Sequence, residues 1–361
     1  MKILITGVTG FIGPHLLEYV VQHSQWTNVI AIVRPPLDRV QIPSFGLYNV
    51  HVELIPGDIS RPDLGLSSSS WKYLSSISFD CVIHSAALVN HIRTYEQIKP
   101  HNVTACDDLV RLVSSSSNPP PSFLFVSTVS AVGPGADENF ISTPANFVNC
   151  LGSGYGQSKW VAERRLRNAT NNNLLRHLTI VRLGLIGPHS IYGHMANYKD
   201  WLHLFIQSCQ SMRVRPQMNN LTSNIELLPV DVTAKIMASL AVTGASTSIN
   251  SSNSSSSNSS SSNSSSSSSG SSNSSSSNSS SSNSSSSNSS KIRVVQLDAR
   301  AAGMKAFNVL SLLDKLAQVD EQVSKKKWFT PLPFPQWCDK AQKYGGKPLV
   351  ALSVIPGSRS Q

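Results

Sequence analysis

The first half of the chain alternates short, continuously apolar runs with longer runs in which apolar residues recur at helical spacing. Short apolar runs predict buried strands, and apolar residues three and four positions apart predict helices. Strands are predicted at Lys2–Thr6, Val29–Val33, Val52–Ile55, Cys81–His84, Phe123–Val126 and Leu178–Val181. Helices are predicted at Phe11–His23, Asn102–Val113 and Gly156–Asn168, and residues 67–78 are interpreted as a spacer. This order predicts an α/β protein whose parallel sheet is covered by helices on both faces.

The apolar pattern weakens after about Gly184. Further elements are predicted as helices at Trp201–Cys209 and Val232–Leu240, a strand at Ala306–Leu310 and a helix at Leu312–Val319. We therefore predict a core over residues 1–183 and a smaller C-terminal substrate-binding region over residues 184–361.

A Ser/Asn tract interrupts the C-terminal region. Residues Asn250–Ser290 are all Ser or Asn except Gly270. A segment without apolar side chains has nothing to bury on folding. We therefore predict a disordered loop, as part of a low-complexity insertion over residues 244–290.

The charge of the chain is basic but scattered. Lys and Arg number 30 against 20 Asp and Glu, which gives a formal net charge of +10 and a pI of about 9.5. The one cationic run is Lys325–Lys327, and neither zinc-finger spacing nor aromatic–basic alternation occurs. We therefore expect no nucleic-acid partner. The charge indicates a solvated surface, or attraction to a phosphorylated cofactor or an acidic partner protein.

The cysteines and apolar runs indicate the compartment. The five cysteines are widely spaced and include no CxxC pair, which is typical of a reducing compartment, so we expect a cytoplasmic protein. No apolar run approaches the roughly 18 residues of a membrane-spanning helix, so no membrane span is expected. Glycines soon interrupt the apolar start Met1–Ile5, which is interpreted as the first strand rather than a signal peptide.

A glycine-rich turn, TGVTGFIG at residues 6–13, joins the first predicted strand to the first predicted helix. Gly7, Gly10 and Gly13 allow a tight turn, close approach of backbone to a pyrophosphate, and close packing of helix on strand. The N-terminus of the helix then offers N–H groups to the phosphates. Three glycines can also simply form a tight loop, but at the first strand–helix junction they predict dinucleotide binding and a Rossmann-type doubly wound sheet.

Arg34 and Asp58 follow the second and third predicted strands. About 20 residues after the glycines, an acidic residue would bind the ribose 2′-hydroxyl of NAD, whereas an arginine accommodates the 2′-phosphate of NADP. Arg34 therefore favours NADP, unless it is a solvated loop cation. Asp58 is interpreted as an adenine contact or as a helix N-cap.

Tyr155 and Lys159 are four residues apart in a predicted helix, and therefore share one face of it. A cation at this spacing can lower the pKa of the phenol and bind ribose hydroxyls. The fifth predicted strand leads into Ser127 and Thr128, at the carboxyl edge where parallel sheets bind ligands. Thr128 is interpreted as a hydroxyl donor to a substrate carbonyl, or as a capping hydroxyl.

With these motifs, the chain resembles an extended short-chain dehydrogenase/reductase. It is most similar to thioester reductase domains, the terminal reductase domains of carboxylic acid reductases, polyketide synthases and nonribosomal peptide synthetases. The matching stretches are TGVTGFIG at 6–13, HSAALVNHIRTYEQIKPHNV at 84–103, FVSTVSAVG at 125–133, GYGQSKWVAE at 154–163, LLPVDVTA at 227–234, Asp200 in NYKDWL, and WFTPLPFPQW at 328–337.

The resemblance implies a catalytic set of Thr128, Tyr155 and Lys159, and NADPH as the hydride donor bound to the 1–183 core. Asn102 matches a helix asparagine that supports a proton relay in the superfamily, or is an ordinary residue near a helix N-terminus. His84 is interpreted as a packed strand-end residue rather than a base, and no metal ligands are expected. The cofactor-binding residues implied are Gly7, Thr9, Gly10, Phe11, Ile12, Gly13, Arg34, Asp58, Ile59, Ala86, Ala87, Asn102, Tyr155 and Lys159.

The function implied is NADPH-dependent reduction of an acyl thioester, bound to coenzyme A or a carrier protein, to an aldehyde and in some cases on to the alcohol. Family members usually follow an adenylation or carrier domain, and strand one here begins at residue 2. We therefore expect either an acyl carrier protein that delivers substrate in trans, or a chain that is part of a longer one. Two alternatives stay open: an NAD(P)-dependent sugar-nucleotide epimerase or dehydratase of the same superfamily, and a non-catalytic NADP-binding scaffold.

Overall fold

The computed structural model describes residues 1–23, 25–40, 50–115, 119–132, 153–193, 201–217, 227–246 and 291–297, with residues 318, 330–333, 336–337 and 339–340. Its strands are β1 Lys2–Thr6, β2 Asn28–Val33, β3 His51–Pro56, β4 Cys81–His84, β5 Ser122–Thr128, β6 His177–Leu183, β7 Leu185–Gly187, β8 Val214–Gln217, β9 Leu227–Pro229, β10 Ile292–Leu297 and β11 Thr330–Pro333. Its helices are α1 Gly13–Gln22, α2 Ser68–Ser75, α3 Tyr95–Lys99, α4 Ala105–Ser114, α5 Gly154–Asn171, α6 Trp201–Met212 and α7 Val230–Ser246.

Seven strands form one parallel sheet in the order β10-β6-β5-β4-β1-β2-β3. At its centre, Ile5 of β1 pairs with Ala31 of β2 on one side and Ile83 of β4 on the other. The strand order reverses between β1 and β4, and ligands bind at the carboxyl ends of the strands at such a switch point. Two further parallel pairs, β7 with β9 and β8 with β11, stand apart from this sheet.

Helices cover both faces of the sheet, as the continuous apolar strands predicted. Ile3 and Ile5 of β1 pack into one core with α1 and α7, whereas Leu4 packs into a second core with α4 and α5. Because successive residues of a strand point to opposite faces, one apolar run supplies both cores. The predicted α/β, Rossmann-type doubly wound fold is confirmed.

The core includes elements from beyond residue 183. Helix α7 packs against α1 in the first core, and β10 pairs in parallel with β6. The chain leaves α7 and reaches β10 across residues 247–290, a range that holds the whole Ser/Asn tract and lies outside the described residues. Ser122 at the start of β5 donates to Gly244 O at 2.8 Å, and Leu178 N at the start of β6 donates to Lys291 O at 2.9 Å. Both ends of this range therefore lie at the amino edge of the sheet.

The structure differs from the sequence prediction in residues 67–78. This segment is not a spacer but contains α2, which Ser67 caps by accepting a hydrogen bond from Ser70 N–H at 3.0 Å. Leu74 is buried and attaches the helix to the second core. The predicted strand at 306–310 and, apart from Gln318, the predicted helix at 312–319 lie outside the described residues. No helix in the described part of the chain is both long and apolar enough to cross a membrane.

Candidate active site

Two glycines of the glycine-rich turn are enclosed by protein, and the third is open. Gly7 has a φ of +89°, and a Cβ atom there would lie 2.5 Å from Ala86 N. A Cβ atom on Gly13 would lie 2.1 Å from Gly7 O. Gly10 is exposed, and a Cβ there would meet only Gly7 O, at 3.2 Å. The turn is thus fixed against the fold while Gly10 leaves bare backbone for a ligand.

The first turn of α1 lies directly after this bare backbone. Its N-cap residue, Ile12, forms no side-chain hydrogen bond, and the turn holds Pro14 but no acidic residue. Thr9 is exposed, while Phe11 and Ile12 pack against the first core. A helix N-terminus without a side-chain cap offers N–H groups and a positive dipole to an anion. The turn therefore fits the pyrophosphate of a dinucleotide.

His84 at the end of β4 is bonded to the glycine-rich turn. Its Nδ1 lies 2.7 Å from Thr6 Oγ1, which also accepts Ala86 N–H at 3.4 Å. Burial, with Lys159 nearby, lowers the pKa of His84 to about 3, so the ring is neutral. This placement supports its interpretation as a packed strand-end residue, and brings the half-buried Ala86 and Ala87 beside the turn.

A cavity of about 550 Å³ lies at the carboxyl ends of β2 and β3. It brings together Arg34 and Asp58, the two residues predicted for the adenosine end of the cofactor, and adds Arg61, which the sequence analysis did not single out. The other lining residues are Pro35, Pro56, Gly57, Gly65, Ser67 and Ser70.

Asp58 closes its own turn within this cavity. Its Oδ1 accepts from Ser60 N–H at 3.0 Å and from Ser60 Oγ–H at 2.8 Å. Burial opposes ionisation, but these hydrogen bonds and the guanidinium groups of Arg34 and Arg61 bring the pKa of Asp58 below its usual value. The short turn that follows, Pro62–Gly65, begins directly after Arg61, so Asp58 is not its N-cap. The adjacent Ile59 packs against the second core.

Tyr155 lies in the first turn of α5. Ser153 caps this helix by accepting Gly156 N–H at 3.1 Å, and a Cβ on Gly154 would lie 2.5 Å from Arg93 O. Glycine at 154 therefore lets the segment before α3 pack against the start of α5. The Tyr155 side chain is buried, and burial raises the pKa of the phenol. We expected Lys159 to lower this pKa, but the shift comes from burial, which raises it.

His91 is an aromatic neighbour of Tyr155 that the sequence analysis did not assign. The two ring centroids are 5.4 Å apart and the rings are at 81°, an edge-to-face pair. Burial lowers the pKa of His91, so its ring is neutral near pH 7. Its position in the matching stretch at 84–103 was the one signal that could have drawn attention to it.

Lys159 lies one turn after Tyr155 on the same helix and is fully buried. Its Nζ donates to Val126 O at 2.7 Å and stands 4.5 Å from the centroid of the Phe125 ring. Burial lowers its pKa to about 8. Thr128, two residues after Val126, accepts Ser130 N–H at 3.2 Å, so its hydroxyl caps a turn and keeps its own proton to donate.

Asn102 uses its side chain to join two parts of the protein. It lies in the π-helical turn Pro100–Thr104 and is almost fully buried. Its Oδ1 accepts Leu88 N–H at 2.8 Å, and its Nδ2 donates to Leu88 O at 3.1 Å and to Ser158 Oγ at 3.0 Å. It thereby ties the loop after β4 to α5. Its place among the cofactor-binding residues stays a prediction.

A buried ion pair, Glu163–Arg182, locks α5 against β6. Nε and Nη2 of Arg182 donate to Glu163 Oε1 and Oε2 at 3.0 and 2.7 Å, and Ser127 Oγ donates to Glu163 Oε1 at 2.6 Å. Glu163 is four residues after Lys159, and Ser127 directly precedes Thr128. The pair therefore fixes the helix that carries Tyr155 and Lys159 relative to the strand that carries Thr128.

The parallel sheet, the glycine-rich turn at its switch point and the Tyr155–Lys159 pair together define an oxidoreductase of the extended short-chain dehydrogenase/reductase superfamily. A family model described as Male sterility protein (NAD_binding_4) matches residues 5–237, more than half of the chain. The chain belongs to this family, in its thioester reductase-like branch.

Two relatives illustrate the similarity in sequence. The large subunit of L-2-aminoadipate reductase from Penicillium chrysogenum is 30% identical over 274 residues, 69% of this chain and 19% of that protein. An isonitrile lipopeptide synthase from Streptomyces coeruleorubidus is 31% identical over 219 residues, 56% of this chain and 14% of that protein. The chain thus spans about a fifth or less of the length of these two relatives.

One solved structure illustrates the similarity in fold. The terminal R domain from the myxalamid PKS-NRPS biosynthetic pathway superposes with a TM-score of 0.68. It is 22% identical, and the match covers 99% of this chain and 80% of that one.

Proposed function

We propose that this protein is an NADPH-dependent reductase that converts an acyl thioester into an aldehyde. The arrangement of three side chains gives this proposal its strongest support. Thr128 ends β5, and Tyr155 and Lys159 share a face of α5, at the sheet edge that carries the glycine-rich turn. Relatives named as a reductase and as a lipopeptide synthase support the choice of acyl substrates.

The proposed chemistry assigns one task to each group. When bound, NADPH would supply the hydride that reduces the carbonyl carbon of the thioester. Thr128 donates a hydrogen bond to the carbonyl oxygen, and Tyr155 transfers its proton to that oxygen. Burial raises the pKa of Tyr155, so the phenol holds a proton to give at neutral pH. Lys159, one helical turn from Tyr155, supports this proton transfer as an adjacent cation and binds the ribose hydroxyls.

The resulting hemithioacetal then breaks its carbon–sulfur bond. The thiol of coenzyme A or of the carrier leaves with the proton, and the aldehyde is released. A second hydride and a second proton would convert the aldehyde into the alcohol. The glycine-rich turn and α1 would hold the pyrophosphate, and Arg34 the 2′-phosphate.

The substrate is proposed to arrive on coenzyme A or on an acyl carrier protein in trans. The net charge of +10 supports a partner of opposite charge, and an acidic carrier protein is such a partner.

The test is NADPH oxidation with a panel of acyl-CoA and acyl-carrier thioesters, with the products identified by mass spectrometry. Aldehyde formed in equal amount to the NADPH consumed supports the proposal. Purified protein that retains NAD⁺ and interconverts sugar nucleotides would establish the epimerase alternative. Nucleotide binding without turnover of any thioester, aldehyde or sugar nucleotide would establish the scaffold alternative.

A further inference from the structure

The cavity at the ends of β2 and β3 carries more positive than negative charge. Two arginines, Arg34 and Arg61, line it with a single carboxylate, Asp58. The Arg61 side chain is 76% exposed, and its Nε lies 4.0 Å from Asp58 Oδ2. An ion pair of this length with so exposed a side chain contributes little to stability. Asp58 is one carboxylate that two arginines share, so it does not neutralise both guanidinium groups.

A left-handed turn fixes the backbone around Arg61. Asp63, Leu64 and Gly65 have φ values of 54°, 59° and 62°. Leu64 O accepts Asp58 N–H at 2.7 Å, and Arg61 N–H donates to Asp58 O at 3.0 Å. A Cβ on Gly65 would lie 2.8 Å from Asp58 N. Non-glycine residues in this conformation cost free energy, so the surrounding hydrogen bonds must hold the turn in place.

We propose that Arg61 is a second specificity-determining residue for the cofactor, which acts with Arg34 to bind the 2′-phosphate of NADPH. The inference rests on the proposed NADPH dependence and extends it to a residue outside the glycine-rich turn and the end of β2. A phosphate dianion can accept hydrogen bonds from two guanidinium groups, which are well shaped for it. The 2′-hydroxyl of NADH would leave the two guanidinium groups with only the shared Asp58 carboxylate as an anionic partner.

The test compares two nucleotides that differ by the 2′-phosphate. Isothermal titration calorimetry with the full chain would give the Kd of adenosine 2′,5′-bisphosphate and of 5′-AMP. Arg61→Ala should weaken the bisphosphate by about tenfold or more and change 5′-AMP by less than about twofold. Arg61→Lys should recover part of the loss. Lys72→Ala, which removes an exposed cation from α2 outside the cavity, is the matched control and should alter neither Kd.

Three results would overturn the inference. A preference for the bisphosphate that survives Arg61→Ala and is lost in Arg34→Ala would restrict recognition to Arg34. An equal loss of affinity for both nucleotides in Arg61→Ala would indicate a structural role. Wild-type protein that binds both nucleotides equally would refute NADPH preference together with this inference. A preference that depends on Arg61, in a protein that reduces no thioester, would refute the proposed function and leave the inference standing.

Discussion

Lys159 donates a hydrogen bond from its buried Nζ to the backbone carbonyl of Val126, at 2.7 Å. The same Nζ lies 4.5 Å from the centroid of Phe125, so both contacts come from β5. Burial has the largest effect on this group and lowers its pKa from 10.5 to about 8. Lys159 is therefore charged at pH 7 and loses its proton within the pH range of an ordinary assay.

The first prediction follows from this pKa. We expect kcat/KM for a thioester to fall as the pH rises through about 8, because neutral Lys159 no longer supports proton transfer or ribose binding. Lys159→Arg keeps the charge and should remove this decline, at a lower maximal rate. A pH–rate profile from pH 6 to pH 10 checks both, and a profile of wild-type protein without a decline would contradict the assignment.

The same shift has a consequence for stability. Between about pH 8 and pH 10.5 the unfolded chain holds a proton on Lys159 that the folded chain has lost. The contribution of Lys159 to the free energy of unfolding therefore rises with pH across this window. Denaturant unfolding of wild-type protein and Lys159→Met at pH 7 and pH 10 measures this contribution. The free energy of unfolding of wild-type protein minus that of Lys159→Met should be larger at pH 10 than at pH 7.

The second prediction concerns the proton donor. Tyr155→Phe keeps the edge-to-face contact with His91 but removes the hydroxyl, so the rate of thioester reduction should fall by about 10²–10⁴-fold. NADPH affinity, measured by fluorescence titration, should stay close to that of wild-type protein. Tyr73→Phe is the matched control, since it removes a hydroxyl on α2 that donates a hydrogen bond to Glu53 at 2.9 Å. Equal rates for wild-type protein and Tyr155→Phe would assign proton transfer to another group.

The third prediction concerns the Glu163–Arg182 pair. Glu163→Ala removes the carboxylate that forms the buried ion pair with Arg182, so the free energy of unfolding should fall by about 3–5 kcal/mol. Ser127→Ala removes one hydrogen bond to the same carboxylate and should cost about 1–3 kcal/mol. Arg165→Ala, which breaks an exposed pair with Asp107, should change stability by less than about 1 kcal/mol. Similar losses for Glu163→Ala and Arg165→Ala in urea unfolding would show that burial adds nothing here.

The fourth prediction concerns the Ser/Asn tract. Gly244 and Lys291 contact the starts of β5 and β6, which are neighbouring strands, so a short connection can join α7 to β10. Deletion of residues 250–290 should leave the melting temperature and kcat nearly unchanged, because loop closure depends weakly on length. Scanning calorimetry and the NADPH assay on the shortened chain check this, and a melting temperature many degrees lower would show that the tract packs on the fold.

The strands of the core could be predicted from sequence because their chemistry is simple. A strand buried on both faces is apolar through its middle, and Ile3–Ile5 of β1 and Cys81–Ile83 of β4 show this without interruption. Helix α2 was not predicted in this way, since half of its eight residues are serines. It depends on the Ser67 cap and on Trp71 and Leu74, which pack into the second core.

The residues of the candidate site also differ in how directly the sequence reveals them. Tyr155 and Lys159 are separated by one helical turn, a local relation that a sequence displays directly. Glu163 continues that spacing by a further turn and could have been singled out as part of the same face. Arg61 shows no such local relation, because its position depends on a left-handed turn. The stretch at 84–103 could have drawn attention to His91, but its contact with Tyr155 depends on a loop that Asn102 ties to α5.

The chain leaves the core at Ser246 and returns at Lys291 on the amino edge of the sheet, while Thr128 and the glycine-rich turn lie at the carboxyl edge. The two points at which residues 247–290 are attached therefore lie at the edge of the sheet opposite to the proposed catalytic residues. This attachment offers an engineer a place to exchange the tract for a reporter or a tether.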